Sequence, residues 1–86
     1  MPEISRFYGI VIRMYFGDHP PPHFHAEYSG HYAVVEINTL SIISGSLPPR
    51  AMGLVTEWAL LHKAELQDRW DEAESLNPIS RIDPLP

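Results

Sequence analysis

No cysteine occurs among the 86 residues, which removes disulfides, thiolate-bound zinc and cysteine nucleophiles together. Disulfide-free small domains are common in the reducing cytosol, so a cytoplasmic location is expected. Basic residues are also scarce: six Lys and Arg against eleven Asp and Glu give a formal charge of −5. Lys63 is the only lysine, and Arg6, Arg13, Arg50, Arg69 and Arg81 are dispersed. Binding to a phosphate backbone relies on clustered basic side chains, so nucleic acid is disfavoured as a partner. No stretch approaches the roughly 18–20 apolar residues of a membrane helix. The segment from Met1 to Arg6 lacks the apolar run behind a basic patch that marks a signal peptide. The 44% hydrophobic content, with Trp58 and Trp70, suffices for one modest core and a single domain over residues 1–86.

Proline is abundant by contrast, and three of the nine stand together in Asp18-His19-Pro20-Pro21-Pro22-His23-Phe24-His25. The prolines fix φ and favour an extended path, so this segment is stiff and not helical. Beyond them, residues two apart on a strand point the same way. His23, His25 and Glu27 therefore share one face, and Phe24 turns to the other.

Alternation extends through the first half of the chain. Over residues 7–16, Tyr8, Ile10, Ile12, Met14 and Phe16 form an apolar face, which predicts one strand with a buried side. Residues 23–28 and 31–37 flank Ser29-Gly30, and a two-residue turn containing glycine predicts a tight hairpin. That turn places Tyr28 opposite His31, Glu27 opposite Tyr32, His25 opposite Val34 and His23 opposite Glu36. A short run at 41–44 predicts a fourth, edge strand. From Pro48-Pro49 onward the period changes. Ala51, Leu54, Val55, Trp58, Leu61, Leu66 and Ala73 recur at three- and four-residue steps, which predicts one amphipathic helix over about 49–74. Trp70 and Leu60 fall off its apolar stripe and read as candidates for an exposed partner surface. His62 lies within the stripe and reads as a core-edge histidine bonded to backbone. Asn77-Pro78 ends the helix, and residues 77–86 form an extended tail pinned by Ile79, Ile82 and Leu85. The fold class is α+β: an antiparallel sheet of three to four strands with one long helix on one face, leaving the His23–His25–Glu27 face bare.

Two chemistries suit that bare face. Two imidazoles side by side on a strand can ligate a divalent metal such as zinc. The candidate ligands are His19, His23, His25 and Glu27, with Glu36 or Asp18 as alternative completing groups. Imidazoles also move protons near neutrality. His23 opposite Glu36 resembles a base with its orienting acid, and Arg13 and Tyr15 reach the same face if the first strand neighbours the hairpin. His23, His25, Glu36, Arg13 and Tyr15 are thus the catalytic candidates of a nuclease or hydrolase. No nucleophile stands out, and whether the chain is an enzyme is left open by these residues.

The combination of Met1-Pro2-Glu3-Ile4-Ser5, Tyr8-Gly9-Ile10, Tyr15-Phe16, Asp18-His19, Pro21-Pro22-His23-Phe24-His25, Leu47-Pro48-Pro49-Arg50-Ala51 and Glu57-Trp58-Ala59 resembles the small bacterial proteins of domain-of-unknown-function family 4160. The resemblance covers nearly the whole chain. It carries no established activity, and His19, His23 and His25 match family histidines to which no role is assigned. It implies a protein-interaction module with a small cognate partner in a toxin–antitoxin pair, this chain being the toxin-like half; a homo-oligomer is the other partner expected. Leu40-Ser41 departs from the glycine-containing turn expected after Thr39.

Overall fold

Tyr8 and Gly9 both take positive φ, 50° and 80°. Consecutive positive-φ residues match the two-residue turns that reverse a hairpin, so the chain turns back where alternation alone reads one continuous strand. The computed structural model, which describes residues 2–86, accordingly has two strands in this region, β1 (Glu3–Phe7) and β2 (Ile10–Arg13). Pairing Phe7 with Ile10 across the turn puts both on the core side. Ile10, Ile12 and Met14 are fully buried, whereas Tyr8 at the turn and Phe16 beyond β2 are exposed.

β3 (His23–Tyr28) and β4 (His31–Glu36) follow, joined at Ser29-Gly30, again with both residues at positive φ. Their register runs from Tyr28 opposite His31 to His23 opposite Glu36 in six unbroken pairs, as a two-residue turn requires. β5 (Ile42–Ser46) pairs with β4 through one irregularity and forms an edge. A Cβ at Gly45 (φ 74°) would overlap the Tyr32 carbonyl, so that position demands glycine. The sheet is a five-stranded antiparallel meander in the order β1-β2-β3-β4-β5, one or two strands more than the sequence pattern predicts.

The single helix predicted over 49–74 is two: α1 (Pro49–Leu61) and α2 (Lys63–Glu74), separated where His62 leaves helical geometry at φ −122° and ψ 24°. A continuous helix over those residues would be about 39 Å long at 1.5 Å per residue. The longest dimension of the molecule is 33 Å. Past the break α2 reaches the loop before β3, where the Gly17 N–H donates to the Ala73 carbonyl. His62 bonds Glu65 at 2.7 Å rather than backbone and rests on Trp58. Leu61 faces outward, 65% exposed.

Trp58 centres the core. It is fully buried, contacts Phe7 and Phe24, and donates its indole N–H to the Asp83 carbonyl at 2.8 Å. The tail is held by that bond, by the Ile82 N–H to the Ile4 carbonyl, and by burial of Ile82 and Leu85. Trp70 belongs to the interior too: it is 5% exposed and packs against His23, not outward as its place on the helical wheel predicts. No helix among the described residues is long and apolar enough to cross a membrane.

Candidate metal centre

The odd positions of β3 carry His23 and His25 onto the sheet face away from Phe24 and the core. That face is not bare at this end. The loop between β2 and β3 folds over it and brings Asp18 onto both rings, Tyr15 meets His25 edge-on with ring centres 4.5 Å apart, and Trp70 closes against His23. Each histidine is only 8% exposed. The three side chains offer ligand atoms, Asp18 carboxylate oxygen and two imidazole nitrogens, that all lie within 4.8 Å of one another.

Asp18 Oδ2 is shared. It lies 2.8 Å from His23 Nε2 and 3.2 Å from His25 Nε2. The other ring nitrogens are also held: His23 Nδ1 faces the Pro21 carbonyl at 2.7 Å, and His25 Nδ1 faces the Tyr32 hydroxyl. Burial works against ionisation of Asp18, but bonds from His25, the His19 backbone N–H and His23 outweigh it and hold the carboxyl below its ordinary range. Burial lowers the His25 pKa, with Asp18 pulling the other way and the neighbouring His23 adding to the decrease. Burial raises the Tyr32 phenol, with Tyr15, Glu27 and Asp18 adding to the shift.

Tautomers follow from this layout. His25 is satisfied as a neutral ring, its Nε2–H donating to Asp18 and its Nδ1 accepting from the Tyr32 O–H. His23 is different, because both of its nitrogens face oxygens that only accept. A neutral imidazole satisfies one of them. The second nitrogen requires a further proton, or a cation lying between it and the carboxylate.

The remaining sequence candidates fall outside the cluster or at its rim. His19 is exposed and contributes only its backbone N–H, to Asp18 Oδ1. Glu27 shares the histidine face, but its carboxylate accepts from Arg13 Nε at 2.8 Å, so the cluster's acid is Asp18 instead. Glu36 is the cross-strand neighbour of His23 by register, yet its side chain accepts from Thr39 Oγ1 and does not orient the ring. Arg13 stands directly opposite His25 in the β2–β3 register, and Tyr15 touches His25. Tyr32 was not among the candidates. Its position was nonetheless readable: opposite Glu27, it lies diagonal to His25 on the same face, within reach of a long aromatic side chain.

No curated protein and no solved structure matches the chain. A family model does, across residues 9–71, a span that holds β2 to β5, α1, most of α2 and all three residues of the cluster. The chain belongs to the family described as a domain of unknown function, DUF4160.

Proposed function

We propose that this protein binds a divalent transition metal ion through Asp18, His23 and His25, and that the ion's open coordination position is where the domain acts. The observation that carries this reading is the convergence of two Nε2 atoms on one carboxylate oxygen, with both Nδ1 atoms tied to oxygens. Metal-ligating histidines characteristically donate their second ring N–H to a carbonyl, hydroxyl or carboxylate, which fixes the tautomer. Pro21 and Tyr32 stand at those two places. Two ligand atoms about 2.0–2.1 Å from zinc at a tetrahedral angle lie about 3.3 Å apart. The separations from Asp18 Oδ2, 2.8 and 3.2 Å, lie near that value, and all three ligand atoms fall within 4.8 Å of one another. An ion also answers the double-acceptor problem at His23. Three protein ligands leave a position for water or a ligand, the pattern of catalytic rather than structural zinc sites. The reading therefore includes a metal-dependent hydrolase.

Calorimetric titration of the full chain with Zn²⁺, Co²⁺ and Ni²⁺ tests it. The expected result is one equivalent bound at micromolar or tighter affinity, weakening as pH falls because protons compete with the ion for its ligands. His23→Ala combined with His25→Ala should give a flat isotherm. A flat isotherm for the unaltered chain with all three metals overturns the reading.

A second reading, self-association through β5, is favoured by that strand's character. All five of its residues are exposed and none is charged or proline, so its outer backbone groups lack the usual protection of an edge. A second copy suits this edge because the strand carries no charged side chain, so pairing two of them sets no like charges opposite one another. Sedimentation velocity at micromolar concentration should show a dimer that Ile43→Lys dissociates. A monomeric unaltered chain excludes it.

A further inference from the structure

Arg13 stands opposite a cluster residue, His25, in the sheet register, and only part of its guanidinium is engaged. Its Nε donates to Glu27 Oε2, while its two Nη groups have no hydrogen-bond partner among the described residues. Register partners on adjacent antiparallel strands share a face, so Arg13 projects on the same side as His25 and one strand away, with strands about 4.7–4.9 Å apart. Glu27 thus holds the guanidinium at one nitrogen and leaves free the Nη fork, the part that matches an oxyanion bidentately.

From this we infer that the metal centre takes the phosphoryl group of a small phosphate compound, one oxygen on the ion and others on the Arg13 fork. The inference rests on the metal reading above and assigns it a ligand class. Charge arithmetic supports it. With both imidazoles neutral, Asp18, Glu27 and Arg13 sum to −1, and a divalent ion turns that to +1. The site therefore attracts an anion only when it holds metal. A chain of net charge −5 also repels extended polyanions, so the phosphate compound is small and not a nucleic acid strand.

Cobalt(II) separates the two layers, because its visible absorption reports metal binding and then any change of ligand on the metal. The unaltered chain should develop a cobalt spectrum that shifts saturably with inorganic phosphate. Arg13→Ala should keep the cobalt spectrum and its affinity within about twofold, which also shows that the variant is folded, and weaken phosphate at least about tenfold. Arg13→Lys, a point charge without a fork, should fall between them. Phosphate that leaves the unaltered cobalt form unchanged, or that binds Arg13→Ala equally well, overturns the inference and leaves the metal site standing. Acetate binding as tightly as phosphate overturns the phosphoryl assignment. Equal phosphate affinity without metal removes the charge argument and overturns the inference as well. Absence of any cobalt spectrum in the unaltered chain overturns both readings.

Discussion

Trp58→Ala is expected to cost about 3–5 kcal/mol, the range for removing a buried aromatic side chain. A domain of this size has a total stability of roughly 4–13 kcal/mol at 0.05–0.15 kcal/mol per residue, so the variant loses a large share of it and, at the lower end of that range, stands near its unfolding midpoint in water. Two strands, the helix break and the tail meet at this ring. Phe7 of β1 and Phe24 of β3 approach it at ring-centre distances of 5.4 and 5.9 Å, and His62 packs on it at the helix break. Its indole N–H also satisfies the Asp83 carbonyl. Alanine opens a cavity where the sheet, α1 and the tail join, and leaves that carbonyl without its donor. Urea denaturation followed by circular dichroism measures the loss. Trp58→Phe restores most of the volume without the N–H, and should recover more than half of it. A loss below about 1 kcal/mol for the alanine variant would show that the tail and both β-hairpins do not converge on this residue.

Why some elements were legible and others were not is physical. The β3–β4 hairpin could be read to the residue because Ser29-Gly30 interrupts two alternating runs with a turn of fixed length, and turn length fixes register. Tyr8-Gly9 makes an equivalent turn, but it is hidden. The apolar residues on either side, Phe7 and Ile10, belong to opposite phases of a single alternation, and the phase of Tyr8, Ile10 and Ile12 runs straight through the turn. Only the positive φ of Tyr8 and Gly9 marks the reversal, and tyrosine gives little warning of it. The helix break is invisible for a related reason. Apolar spacing continues past His62 to Leu66 and Ala73, and periodicity reports which residues face inward without reporting a change in axis direction. The size of the body against which a helix packs decides that.

The site divides the same way. Alternation along β3 put His23 and His25 on one face without any tertiary information. It could not reveal their burial, because the groups that cover them, Asp18, Tyr15 and Trp70, arrive from a loop, a strand end and a second helix. Glu27 was the natural choice of acid from the strand pattern. Its carboxylate, however, is taken by Arg13 Nε at 2.8 Å. Asp18 reaches both rings because the proline-rich segment returns over the start of β3, a path set by the fold and not by any local preference.

Asp18→Asn should separate metal binding from folding at this same residue. Asparagine keeps the size of aspartate; with its amide nitrogen in the place of Oδ2, its two N–H groups can donate to His23 Nε2 and His25 Nε2, where the carboxylate only accepts, and its carbonyl still accepts from the His19 N–H. With that donor in place, neutral His23 satisfies both of its nitrogens, so the variant should retain the fold, with a Tm within a few degrees of the parent. Metal binding should fare very differently. A neutral amide is a poor ligand for a divalent transition metal compared with a carboxylate, and the site loses one of three donors together with its charge. Affinity for Zn²⁺ or Co²⁺ should fall about 100-fold or more, which is about 2.7 kcal/mol of binding free energy. Asp18→Ala should lose the metal and also stability, by about 1–3 kcal/mol, because it leaves the buried His23 and His25 nitrogens without a partner. Paired thermal melts and metal titrations on the two variants read both quantities. If Asp18→Asn binds metal as the parent does, the carboxylate is no ligand, and the Asp18–His23–His25 cluster is a hydrogen-bonded clasp that fastens the proline loop to β3.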